Sequence, residues 1–434
     1  MQGLKQKPDL ILFGLNSKGD GLQVKQPFPR VLVAALRRVR KLSGKVAELA
    51  DRLLCLRLQL LVLLVDGRNV HADPLGWFPG FPRRRFSASS PYIGRARCEM
   101  KAVAYTHARP VGHDEALLDV ELPDPAPRHH DILVEVKAVS VNPVDTKVRR
   151  RSDPVGEPRI LGFDAAGIVS AVGSDVTLFG VGDAVWYAGS IARPGSNSEL
   201  QLVDERIVGH KPASLSYADA AALPLTTITA WEMLFDRLQI PLSPHREGAL
   251  LIIGGAGGVG SIAIQLARQL TGVTVIATAS RPETREWCLS LGAHEVVDHS
   301  ADLAAELKRV DIGAVEYVFS TNATDRHWKA IVEAVAPQGA VGLIDDPEPV
   351  DVRALKQKSA SLHWELMFTR SLFATPDMIE QHRLLEAVAH LVDQGRIRTT
   401  LAEHFGRIDA NNLRRAHALI ESGRARGKIV LEGF

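Results

Sequence analysis

The rhythm of apolar and polar positions changes twice along the chain. Val31 to Val65 (VLVAALRRVRKLSGKVAELADRLLCLRLQLLVLLV) reads as one or two basic amphipathic helices interrupted near Ser43 and Gly44. Residues 72–99 are then rich in Pro, Gly, Arg and Ser, a linker composition. From Met100 the pattern becomes short runs with turn signals between them. Lys101 to Tyr105, Asp131 to Val141, Gly167 to Val172, the AVWY segment after Val181-Gly182-Asp183, and parts of 200–208 read as strands of a β-rich unit. At about Ala218 the period turns helical, and strands (249–254, 273–278, near 294–297, 315–319, 340–344) then alternate with helices (258–271, 282–291). That alternation predicts an α/β fold with a parallel sheet covered on both faces. Helices near 377–394 and 409–421 and a strand at Lys428 to Leu431 fall outside that sheet.

Charge sharpens the first break. Residues 1–99 hold 18 Lys and Arg against 7 Asp and Glu, whereas the rest holds 34 against 43. The overall balance of +2 argues against a dedicated nucleic-acid binder. Residues 1–99 read as an extension ahead of a functional chain that begins at Met100. The alternatives are an Arg-rich targeting or membrane-surface segment, since RRRFSASS (83–90) resembles the surroundings of a mitochondrial processing site, or an extra domain. The run Leu58 to Val65 is far short of the roughly 20 residues that cross a bilayer, so no membrane association is expected. The N-terminal MQGLKQKPDL lacks the plan of a secretory signal. Three scattered cysteines make neither a disulfide framework nor a four-cysteine zinc lobe, and a reducing, cytoplasmic location is expected.

The strongest chemical motif is ALLIIGGAGGVGSIAIQLARQL, an apolar strand running through Gly255-Ala256-Gly257-Gly258-Val259-Gly260 into a helix. Gly255 is expected to allow the tight turn, Gly257 to let backbone reach a pyrophosphate, and Gly260 to let helix and strand pack closely. The helix N-terminus would offer free N–H groups and a positive dipole. The next strand ends at Ala279 and is followed by Ser280 and Arg281 rather than by a carboxylate. A carboxylate there would accept from a ribose 2′-hydroxyl and repel a 2′-phosphate, whereas Ser280 and Arg281 suit the phosphate, so NADP(H) is the expected cofactor.

The strings KAVSVNPVDTK (137–147), ILGFDAAG (160–167), VGDAVWYAG (181–189), RPGSNSE (193–199) and ALPLTTITAWEML (222–234), with the glycine motif and a terminal GKIVLEG, occur in an informative order. Residues 100–434 thereby resemble the medium-chain dehydrogenase/reductase superfamily, most closely its zinc-type alcohol dehydrogenase-like branch related to quinone oxidoreductases. The resemblance implies a GroES-like catalytic domain from residues 100–225 and 372–434. A Rossmann NADP-binding domain at 226–371, a doubly wound parallel sheet, would lie between them. It also implies an active site in the cleft and a homodimer.

Zinc-dependent members place a Cys after the strand that here ends in SVNPVD, and a His where this chain reads Gly162-Phe163-Asp164. Here Asn142 and Phe163 stand in those positions. Asp145 and Asp164 without a nitrogen or sulfur ligand make a poor zinc site, so no metal is expected. Hydride transfer would then rely on hydrogen bonds, which favours NADPH-driven reduction of a quinone or α,β-unsaturated carbonyl over alcohol oxidation. Asn142 is the first choice for an orienting amide. Asp145 is expected to brace the loop, Lys147 is a candidate donor to a developing enolate or a solvated lysine, and the resemblance points to Thr229 near the nicotinamide. Tyr187 could line the pocket, whereas Trp186 is expected to pack in a strand. Arg149-Arg150-Arg151 reads as a solvated edge. The rival functions are a zinc-type alcohol dehydrogenase and a noncatalytic NADPH-binding protein.

Overall fold

The computed structural model describes residues 99–245 and 248–434, so the amphipathic helices and the extension expected before Glu99 lie outside the described residues. Three sheets carry the fold. The smallest pairs β1 (Glu99–Tyr105) antiparallel with β2 (Leu118–Pro123) and with β4 (Arg159–Ile160). A second sheet has the order β15-β16-β3-β5-β6-β8, with β7 added on β3. Its members are β3 (Asp131–Val141), β5 (Ala165–Val172), β6 (Ala184–Tyr187), β7 (Leu200–Asp204), β8 (Val208–His210), β15 (Leu401–His404) and β16 (Lys428–Glu432). Strand β16 runs antiparallel to β3, with Ile429 opposite Val141 and Val430 opposite Ser140. The end of the chain is thereby laid beside the residues that precede Asn142.

The third sheet comprises β9 (Ala249–Ile253), β10 (Thr274–Thr278), β11 (Glu295–Val297), β12 (Val315–Ser320), β13 (Val335–Leu343) and β14 (Ser361–Trp364). Its order is β11-β10-β9-β12-β13-β14, and every neighbouring pair is parallel. The strand order reverses between β9 and β12, which opens a crevice beyond their carboxyl ends where such sheets bind ligands. Leu250, Ile252, Val275 and Ala277 join one core together with Ile262, Ala263 and Leu266 of the helix Gly258–Leu270. The alternate residues Leu251, Ile253 and Ile276 join the other, with Leu303, Leu307, Trp328 and Ile331. The sheet is therefore wound on both faces. Each fully buried Leu or Ile contributes about 1.5–3 kcal/mol, which explains why these strands are continuously apolar rather than alternating.

Several features depart from the sequence reading, strands β2, β4 and β15 among them. Strand β14 was not expected, because SLHW is short, partly polar and at the edge of its sheet. A π-helical segment, Glu232–Arg237, continues the helix Pro224–Trp231. The arginine run is not a uniform solvated edge. In the helix Pro143–Arg151, Asp145, Thr146 and Arg149 are buried, a spacing of one helical face, while Arg150 and Arg151 are exposed. Arg149 pairs with Glu421, donates to the carbonyl of Arg109 and lies 3.3 Å from Nδ1 of His417. Burial, with the Arg149 charge beside it, pushes the His417 imidazole down to about 3.

Candidate active site

A buried polar network occupies the junction of β3, the Pro143–Arg151 helix and β16. Asn142 lies between β3 and the helix and is 1% exposed. Its Nδ2 donates to Asp164 Oδ2 at 2.8 Å, and its Oδ1 accepts from Nζ of Lys428. Lys428 also donates to Asp164 Oδ2 (2.9 Å) and to the Val141 carbonyl (3.2 Å). Ser140 Oγ donates to the same Asp164 oxygen at 2.9 Å, and the Leu225 amide donates to the other oxygen at 2.7 Å. Both charged partners are buried, and the Lys428–Asp164 pair is tolerable because all three ammonium hydrogens and both carboxylate oxygens have partners.

Asp145 braces this network from outside it. Its two oxygens accept from the backbone amides of Asn142 (2.8 Å) and Gly162 (2.9 Å), tying the start of the helix to the segment that carries Asp164. Burial pushes its carboxyl up to about 7, against the pull of those two amides and of Lys428. An acid whose folded pKa lies above its unfolded one takes up a proton on folding. Its favourable contribution is full below about pH 4 and is lost as pH rises through about 7. The melting temperature of Asp145→Asn relative to the parent is therefore expected to rise between roughly pH 5 and pH 8, because only the parent must bury a charge there. A difference that stays constant with pH would overturn this assignment.

The other sequence-derived candidates separate. Lys147 is half-exposed and pairs with Asp346 at 3.1 Å, as does Arg151, so its ammonium is engaged away from the Asn142 network. Trp186 and Tyr187 are fully buried in β6, and neither the indole N–H nor the phenol has a partner among the described residues. Phe163 is buried and meets Phe368 edge-on at 5.3 Å.

The glycine turn leaves β9 at the crevice. Gly254, not Gly255, takes the left-handed conformation, with φ of +79°. A Cβ there would lie 2.4 Å from side-chain oxygens of Thr321 and Asn322. Gly255 is required for a different reason, since a Cβ would fall 2.7 Å from that of Ala277. Gly260 packs against the turn, its Cβ position 2.4 Å from the Gly254 carbonyl oxygen. At Gly257 the nearest atom would be 3.4 Å away, so this stretch of backbone is open to close approach. Gly257 caps the helix Gly258–Leu270 without any side-chain hydrogen bond, leaving first-turn amides and the positive helix end for an anion. Ala256 accepts from the Gly427 amide at 2.9 Å, and Gly258 lies against Lys428 and Thr226, which joins this turn to β16. Val259 is partly buried beside the core. Thr229 lies one turn beyond Thr226 and donates to the Leu225 carbonyl at 2.8 Å.

Beyond β10, Ser280 is exposed and Arg281 half-exposed. Arg281 pairs with Glu283 at 3.2 Å and donates to the Arg424 carbonyl at 3.3 Å. Arg426 stacks 5.0 Å over the Trp287 ring, whose indole N–H donates to Ser261 at 2.8 Å. The 424–428 segment thus brings the Arg424 carbonyl to Arg281 and the Arg426 cation to the helix that follows it. Sequence reasoning missed this segment and Lys428, whose only local signal was the terminal GKIVLEG.

This donor set does not fit a Cys/His zinc ion. Phe163 has no lone pair, and both Asp164 oxygens already accept hydrogen bonds. The Lys428 ammonium also holds a positive charge between Asn142 and Asp164. Among the described residues no three His, Cys, Asp or Glu side chains converge on one point. No helix among them is long and apolar enough to cross a membrane.

Comparison with known proteins gives two family matches: an alcohol dehydrogenase GroES-like domain at residues 128–226 and a zinc-binding dehydrogenase at 291–431. A zinc-type alcohol dehydrogenase-like protein of Staphylococcus aureus is 46% identical over 310 residues, covering 71% of this chain and 92% of the relative. The structure of a Rhizobium etli protein, provisionally called a zinc-dependent alcohol dehydrogenase, is 61% identical. It covers 77% of this chain and 98% of its own, with a TM-score of 0.75. Quinone oxidoreductase of Escherichia coli, solved with NADPH, is 26% identical, covers 77% of this chain and 99% of its own, and has a TM-score of 0.63.

Proposed function

The chain belongs to the medium-chain dehydrogenase/reductase superfamily, a family of oxidoreductases, and on that premise we propose that it reduces a quinone or an α,β-unsaturated carbonyl with NADPH and without catalytic zinc. The observation that carries this reading is the saturated Lys428–Asn142–Asp164 network at the positions where a metal would need open ligands.

In this reading Gly255, Ala256, Gly257, Gly258, Val259 and Gly260 hold the pyrophosphate, Ser280 and Arg281 grip the ribose 2′-phosphate, and Thr229 lies toward the nicotinamide. The bound cofactor supplies a hydride. The chain's own task is to orient the acceptor and to steady the oxygen on which charge gathers. With no Lewis acid, one amide hydrogen of Asn142 is a modest stabiliser. It suffices only for an acceptor that already delocalises the charge by conjugation. Quinone reduction then balances with the hydride and one proton from solvent. The cations Arg281 and Arg426 and the absence of a carboxylate directly after β10 support NADPH over NADH.

The working unit in this reading is a homodimer. Strand β14 is the outer strand of the parallel sheet, and Trp364 on it is exposed, so two copies could extend one sheet about a two-fold axis. Light scattering should give twice the chain mass.

The test is NADPH oxidation after exhaustive chelation, screened over quinones, enones and aldehydes, with metal content assayed on the same sample. Turnover with a conjugated acceptor and no bound zinc is expected. One zinc per chain, with activity lost on its removal and regained on its return, would instead support a zinc-type alcohol dehydrogenase. Tight NADPH binding with no consumption would support a pure binder.

A further inference from the structure

We propose that Lys428 is a positioning residue for hydride transfer, and that it works, opposite Asp164, by holding the Asn142 amide in one orientation. This rests on the reductase reading above. A lysine ammonium can only donate hydrogen bonds. The atom of Asn142 that faces Nζ of Lys428 must therefore be the carbonyl oxygen, and the amide nitrogen is forced to the opposite side, toward Asp164. One N–H of Asn142 goes to Asp164 and the second remains. Asp164, a carboxylate that can only accept, specifies the same orientation from the other end, so the amide is clamped between a pure donor and a pure acceptor; with both removed its two ends become interchangeable and the remaining hydrogen has no fixed direction.

The ammonium is itself immobilised. Its three hydrogens go to Asn142, Asp164 and the Val141 carbonyl, and its stem lies against Gly258 of the glycine turn. The preceding residue, Gly427, donates to the Ala256 carbonyl of the same turn at 2.9 Å. One short segment thus touches the dinucleotide turn on one side and sets the orienting amide on the other. A fixed cation here does part of what a metal does elsewhere in the family: it neutralises Asp164 and defines a geometry, without offering a ligand position.

A merely structural counter-ion would give a different experimental pattern. Lys428→Met keeps the stem but strands the buried Asp164 charge, so a loss of folding would be ambiguous for that variant alone. The double variant Lys428→Met with Asp164→Asn removes both charges and is expected to recover most of the melting temperature. Its kcat with a quinone should remain about tenfold or more below the parent, with the NADPH dissociation constant nearly unchanged. Lys428→Arg, which retains donors and charge, should restore part of kcat. In an Asn142→Ala background the Lys428/Asp164 double change should lower kcat no further, because Lys428 acts through Asn142.

A double variant with parental kcat, or a further full loss on top of Asn142→Ala, would overturn the assignment. No NADPH consumption by the parent with any acceptor would overturn the reductase reading and this inference with it. Parental turnover together with a fully active double variant would overturn the role of Lys428 alone.

Discussion

Asn142→Ala is expected to lower quinone or enone turnover by about ten- to a thousand-fold, because a single preorganised donor is typically worth a few kcal/mol in a transition state. The substitution removes the acceptor of one Lys428 hydrogen and one of the donors to Asp164, so a stability loss of about 1–3 kcal/mol should accompany it. It does not remove a helix cap. Asn142 makes no side-chain bond to the first turn, and the bond that ties its backbone to the helix comes from Asp145. Stopped-flow measurement of the hydride step, beside the melting temperature and NADPH affinity, separates the two effects. A melting point shift with unchanged hydride transfer would remove Asn142 from the chemistry.

Arg281→Ala should weaken NADPH binding roughly ten- to a hundred-fold and leave NADH nearly unchanged, since a charge-assisted hydrogen bond to phosphate contributes about 1.5–3 kcal/mol. The surroundings favour the lower end. Arg281 shares its guanidinium with Glu283 and the Arg424 carbonyl, and Arg426 stands in the same corner. Titration of both cofactors by nucleotide fluorescence decides it. Equal weakening of the two would mean that Arg281 does not read the 2′-phosphate.

What could be read in the sequence was whatever depends on near neighbours in the chain. The strand–turn–helix around Gly257 and the alternation after Ala249 have a local period, and the replacement of Cys and His by Asn142 and Phe163 is visible in short strings. The Arg149 burial was missed because three adjacent charges were read as a run rather than placed on a helical face, where Asn142, Asp145, Thr146 and Arg149 align. The partner of Asn142 was illegible for another reason. Lys428 and Asp164 are 264 positions apart, and only the antiparallel register of β16 on β3 brings them together. No window of sequence contains that information.

That register also dictates the order in which the protein can become competent. The parallel sheet closes among residues 249–364, whereas the Asn142 cluster needs Ser140, Asp164 and Leu225 together with a lysine 286 positions beyond Asn142. Contacts of such separation form late, because the entropy of closing the loop must be met before they reward it. During synthesis a nascent chain can build its nucleotide turn well before the Asn142 amide is held from both ends. Until β16 docks, Asp164 has no cation beside it. Nucleotide binding should therefore return before turnover on refolding, and the interval between them measures the docking of a single strand.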